Sequence, residues 1–213
     1  MRIKVVILLL IVSVMCLSCG EAKSNKNTVA PKQPRNVPPN VKTGVAPVAD
    51  NEIAVIEMEK PVYGTVKIEL YSNIAPMMVA QFKQLAKDGV YDGTSFHRIN
   101  QTVVQGGDPK SKDSDPTNDG MGGSNMPNVP AEFSDIPYDT GIVGAARSQD
   151  PNSANSQFFM MLKREPGFDN KYTIFGKVIE GMNNVSTISG VTPKEGERPV
   201  EAIRIKSVKI QPK

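Results

Sequence analysis

The chain has no tryptophan, a single histidine (His97) and only two cysteines, Cys16 and Cys19, both within its first twenty residues. With one histidine, no multi-histidine metal site can be assembled. With no thiol beyond Cys19, the remainder has neither a disulfide nor cysteine chemistry. No Gly-x-Ser-x-Gly stretch occurs and no cysteine is usable, so a hydrolase is a poor reading. Charge of one sign is also scarce. The formal net charge is +3, but Arg2 and Lys4 sit at the start and residues 20–50 hold five basic and two acidic side chains. Residues 51–213 are left with 18 basic and 20 acidic side chains, net −2, which gives no electrostatic reason to bind nucleic acid. The loop Lys110–Gly123 holds Asp113, Asp115 and Asp119 but is no calcium loop: counted from Asp115, the position that needs a bidentate Glu is Met126. No metal or cofactor is expected.

What is present begins with an address. Residues 1–18 have a basic start, an apolar run Val5–Val12 and then small and apolar residues, the layout of a secretory signal peptide. The run is shorter than the ~20 residues that span a bilayer. Leu17-Ser18-Cys19-Gly20 resembles the lipobox of bacterial lipoproteins, although Cys16 stands where Leu is usual. This implies cleavage before Cys19 and lipidation of Cys19, and so a cell-envelope protein anchored to a membrane. Residues 19–50 are rich in Pro, Lys, Asn and Val without a hydrophobic period, and read as a disordered linker. A coil of about thirty residues would hold a domain roughly 30 Å from its anchor. Residues 51–213 are the expected folded domain, monomeric by default.

Within it, Ile53–Met58 and Val62–Tyr71 read as a hairpin turned at Tyr63-Gly64. Val66, Ile68 and Leu70 alternate with polar neighbours. Ala75–Asp88 switches to helical spacing, with an apolar stripe of Ala75, Met78, Val79, Phe82, Leu85 and Ala86. Pro76 suits its first turn and Gly89 its stop. Phe96–Ile99 and Val103–Gly107 read as neighbouring strands that set Arg98 beside Gln105. Further strands are expected at Gly141–Ala146, Gln157–Leu162, Tyr172–Ile179 and Glu201–Ile210, with a bulge near Ser207, and a short helix at Gly181–Ser189. Many strands, two helices and no βαβ rhythm argue for a mainly β, antiparallel barrel.

The run Ala75-Pro76-Met77-Met78-Val79-Ala80-Gln81-Phe82, then Gly93-Thr94-Ser95-Phe96-His97-Arg98, Val103-Val104-Gln105-Gly106-Gly107-Asp108-Pro109 and Ser156-Gln157-Phe158-Phe159, resembles the cyclophilin-type peptidyl-prolyl cis–trans isomerases over residues 53–210. The resemblance implies a closed eight-stranded antiparallel barrel capped by two α-helices. It implies an enzyme whose substrates are proline-containing polypeptides, here exported ones. Such a catalyst needs no nucleophile and no metal. It must lower the ~18–20 kcal/mol barrier to amide rotation by favouring the twisted amide. By resemblance Arg98 donates to the proline nitrogen, Gln105 orients Arg98, and Gln157 holds substrate. Phe159 floors the proline pocket, while Phe158, of opposite parity, belongs to the core. Phe168 and Tyr172 form the far wall; Val103, Thr102, His97 and Arg147 complete the contact set. The chain is one residue short between Arg98 and Gln105, so the usual pocket Phe falls on Thr102. Gly167 stands where some members carry Trp. A second reading follows from those departures: a cyclophilin-like peptide-binding or surface-interaction module with little turnover.

Overall fold

The computed structural model describes residues 40–191 and 196–213. The expected signal segment 1–18, Cys19 and the linker as far as residue 39 lie outside the described residues.

The first hairpin joins β1 (Glu52–Met58) to β2 (Thr65–Leu70), with Ile56 opposite Val66. Gly64 takes φ +60 at the turn, where glycine alone is free of strain. Helix α1 (Pro76–Lys87) buries the stripe that its spacing predicts. Its cap residue, Ala75, has no side chain to satisfy the first amides. Glu132 does so from a distant loop, accepting from Met77 N at 3.1 Å and Met78 N at 2.9 Å. A carboxylate there also meets the positive end of the helix dipole.

The chain continues through β3 (Arg98–Ile99), β4 (Val103–Gly106), β5 (Ile142–Ala145), β6 (Phe158–Met161) and β7 (Ile174–Glu180). Helix α2 (Met182–Ser189) and β8 (Ile205–Pro212) complete it. All eight strands belong to one antiparallel sheet ordered β3-β4-β6-β5-β7-β2-β1-β8. The register against β1 slips between Glu57 and Met58, where Lys206 is the extra residue, next to the expected bulge at Ser207.

The closed barrel is corrected to a curled, open half-barrel. Its edge strands β3 and β8 share no ladder; one isolated bridge, Ser95–Arg204, lies between their approaches. Closure requires a continuous stagger of paired residues around the ring. Here β3 has only two paired residues, and beyond the bridge its outer edge meets a strap instead, with Ile99 N donating to Glu197 O at 2.6 Å.

Residues 40–50 also depart from expectation: they are fastened to the domain rather than forming the end of a linker. Lys42 N donates to Phe133 O at 2.8 Å, its ammonium reaches Ile74 O at 2.7 Å, and Gly44 N reaches Asp135. Asp50 binds Ser72 and Lys83. Composition is silent here because main-chain pairing needs no hydrophobic period.

Strand parity divides the core in two. Val104, Phe158, Met160 and Phe175 pack inside the sheet with Phe82 of α1 and Val185 of α2. Their neighbours Val103, Phe159, Met161 and Ile174 point the other way and pack with Tyr71, Ile74, Tyr138 and Ile142. Strands β5 and β6 are therefore buried on both faces, which is why they read as unbroken apolar runs.

Candidate active site

A row of four residues crosses the sheet. Arg98 of β3 pairs with Gln105 of β4, Gln105 with Phe159 of β6, and Phe159 with Gly144 of β5. Residues in register on antiparallel strands share a face. The row ends in a glycine for a steric reason: a Cβ at Gly144 would run into the Phe159 ring and come within 2.9 Å of the Tyr138 hydroxyl.

Above Phe159 lies a cavity of about 160 Å³ lined by Arg98, Val103, Gln105, Ala146, Arg147, Phe159, Phe168 and Tyr172. At ~30 Å³ per water it is roughly five waters in size, the scale of one small ring. Phe159 meets Phe168 and Tyr172 edge-on at 5.7 and 5.8 Å between centroids, and Tyr138 stacks behind it at 5.9 Å. Such packing holds the floor rigid. Arg147 lies over Tyr172 at 4.6 Å, its guanidinium donating to the carbonyls of Lys171, Ser148 and Gln149. It is a wall of the cavity, with its donors already engaged.

The polar side of the cavity is a directed chain. Arg98 Nη1 donates to Gln105 Oε1 at 3.2 Å, and Gln105 Nε2 donates to Gln157 Oε1 at 3.0 Å. Gln157 Nε2 then donates to the carbonyls of Gly120 and Gly122 at 3.0 and 2.8 Å. Each amide is oriented by the next, so the two carbonyls fix which atom faces Arg98. Arg98 Nε pairs with Glu197. Among the described residues its Nη2 makes no hydrogen bond, and the guanidinium faces the cavity. The outcome is a charged donor above an apolar pocket.

Two of the anticipated contacts stand elsewhere. Thr102 does not line the cavity. Asn100 Oδ1 accepts from both Thr102 N and Val103 N at 2.8 Å, closing a tight turn that carries Thr102 past the site and makes Val103 its apolar wall. His97 directly precedes β3 and lies, 6% exposed, in a separate cavity with Asp119, Arg198 and Arg204. Burial pushes its pKa below the usual histidine value, outweighing the carboxylates of Asp108 and Asp119. Neither ring nitrogen has a partner among the described residues. The sequence reading missed Asn100, Glu197, Tyr138 and the two glycine carbonyls. Only Asn100, a turn former between two strands, carried a local signal.

Gln105, Ala146 and Arg147 also border a second, polar cavity of about 460 Å³, lined further by Gly120–Ser124, Ser148, Ser153, Asn155 and Gln157. The two cavities thus adjoin along a groove-like surface, sharing Gln105, Ala146 and Arg147 as their border.

Residues 53–210 match the family described as cyclophilin type peptidyl-prolyl cis-trans isomerase/CLD. The chain belongs to this family. A probable peptidyl-prolyl cis-trans isomerase of Brucella suis is 47% identical over 148 residues, 67% of this chain and 74% of the relative. A peptidyl-prolyl cis-trans isomerase of Schizosaccharomyces pombe is 35% identical over 146 residues, 67% of this chain and 90% of the relative. Among solved structures, a cyclophilin-type isomerase of Cryptosporidium parvum determined in the presence of the dipeptide Ala-Pro superposes with a TM-score of 0.67 at 29% identity, covering 76% of this chain and 99% of that one. The groove described above lies within the matched cyclophilin segment, and the chain is that of a peptidyl-prolyl cis–trans isomerase.

Proposed function

We propose that the domain isomerises Xaa–Pro bonds of exported polypeptides by gripping the proline ring over Phe159 and donating a hydrogen bond from Arg98 to the proline nitrogen. In the planar amide that nitrogen is conjugated and a poor acceptor. As the bond twists it recovers its lone pair, so a donor fixed above it favours the twisted form over both planar ones. An arginine keeps its charge at every working pH and needs no proton to be lost or returned. The observation that carries the reading is the Arg98–Gln105–Phe159 row, which sets a held cation beside an aromatic pocket of ring size. The neighbouring polar cavity would take the residues that flank the proline. Proline-containing substrate is supported further by the Cryptosporidium isomerase, whose structure was determined in the presence of Ala-Pro. Of the two grounds for an inert binding module, the shortened Ile99–Val104 segment and Thr102, the second is outside the cavity, which leaves that reading with less to rest on.

The test is acceleration of isomerisation in a short Xaa–Pro peptide by the full chain. Arg98→Ala is expected to lower kcat/KM by about a hundred-fold or more; a wild-type rate in that variant rejects the mechanism. Export and anchoring rest on the layout of residues 1–20. Labelled fatty acid should enter the wild-type chain in a bacterial host and not Cys19→Ala; equal labelling, or none in either, rejects the anchor.

A further inference from the structure

The geometry points to Glu197 as a positioning residue for Arg98, holding the face of the guanidinium that Gln105 does not reach. This rests on the isomerase reading above.

Arg98 stands on an edge strand, so no neighbouring strand supports its outer side. Glu197 occupies that side. Its Oε2 takes the Arg98 Nε–H, and its Oε1 takes Asn100 Nδ2 at 2.6 Å. Its main-chain oxygen takes Ile99 N at 2.6 Å. Three contacts therefore tie one residue to the same short hairpin that carries Arg98. A planar guanidinium with Nε and Nη1 both held cannot turn about its own axis. Nη2 is thereby left aimed in one direction.

The strap is secured at its next residue. Arg198 pairs with Asp119, whose side chain is only 11% exposed. Asp119 precedes Gly120, and the Gly120 carbonyl takes Gln157 Nε2. Gln157 holds Gln105, and Gln105 holds Arg98. The contacts close a ring: Arg98 to Glu197, along the chain to Arg198, across to Asp119, along to Gly120, and back through the two glutamines. Both arms that grip the guanidinium are thus referred to one anchor, the Asp119–Gly120 peptide.

Stability is a poor explanation for this arrangement. Arg98 and Glu197 side chains are 45% and 40% exposed, and ion pairs so wetted contribute little to folding. Holding a donor in one orientation before substrate arrives, however, acts directly on the rate. The Glu197 carboxyl is able to hold it as a carboxylate. Partial burial opposes the charge, but the hydrogen bonds from Arg98 and Asn100 prevail and keep the pKa below the usual carboxylate value.

The experiment measures kcat and KM on the same Xaa–Pro peptide with the full chain. Glu197→Ala is expected to lower kcat by roughly ten- to a hundred-fold with KM little changed, since about 1 Å of misplacement has that order of effect. Glu197→Gln, which keeps an acceptor and loses the charge, should recover part of the loss. Glu197→Ala added to Arg98→Ala should lower the rate no further. Wild-type kcat in both Glu197 variants, or a further loss in the double variant, overturns the proposal. Hydrogen exchange of Arg98 Nε–H by nuclear magnetic resonance is read on the same samples, slow in wild type and fast in Glu197→Ala. Equal exchange in the two overturns positioning whatever the rates. Slow exchange in a wild type that accelerates nothing would leave the contact standing and reject the isomerase reading.

Discussion

Gly144 shows how one missing side chain shapes the pocket. Its place at the end of the row lets the Phe159 ring lie flat against Tyr138, and any Cβ there meets both. Gly144→Ala should therefore act as an overpacking substitution, costing about 1–3 kcal/mol in urea unfolding. It should also lift the pocket floor and lower kcat/KM. An alanine variant with wild-type stability and rate would mean that the ring has another place to go. Legibility differs from residue to residue for the same kind of reason. Arg98 and Gln105 are seven positions apart across one short turn, so their pairing is readable from strand parity. Phe158 and Phe159 separate by parity as well. Glu197 is ninety-nine positions from Arg98 in a short polar stretch with no period. Nothing local marks it, and only the folding of the sheet brings it to β3. Thr102 is misplaced by residue-by-residue alignment across a shortened segment, because such alignment ignores the Asn100 turn that absorbs the missing position.

At the scale of elements, α1 was legible in its stripe, its Pro76 and its Gly89, but not in its cap. The residue before Pro76 is an alanine, and the acceptor is Glu132, more than fifty positions away. Glu132→Ala should cost about 1–2 kcal/mol in chemical unfolding, since two first-turn amides lose their acceptor and the dipole loses its counter-charge. Glu132→Gln should cost less. Full stability in Glu132→Ala would show that other groups satisfy Met77 N and Met78 N. The strands were located to within a few residues because β2 alternates and β5 and β6 are apolar throughout. Closure of the sheet was not legible: it depends on how long β3 stays paired on its outer edge, and two residues of pairing leave no pattern to read.

For the whole molecule, the lone histidine gives a clean handle on pH. Burial holds the folded pKa of His97 below the ordinary value of 6.5. Between those two values the unfolded chain takes up a proton that the folded chain refuses. The sign is therefore fixed: stability is complete above about pH 6.5 and declines as pH falls below it, by at most ~1.4 kcal/mol per unit. Urea midpoints at about pH 7.5 and 5.5 should differ in wild type, and differ less in His97→Gln. An equal fall in both assigns the effect to other groups. The overall class of the fold and the groove were legible because long ordered motifs span the domain. The docking of residues 40–50 was not, since a segment without a core of its own gives no periodic signal.

That docked segment changes how force would reach the domain. Any load arriving from the N-terminal side meets the Lys42 and Gly44 contacts with Phe133, Ile74 and Asp135 first, and then Asp50 with Ser72 and Lys83, before it reaches β1. The segment can peel away one contact at a time, like the sleeve where a cable enters its housing. A pull applied at residue 40 would be spent there, while the sheet that carries Arg98 and Phe159 stays in register.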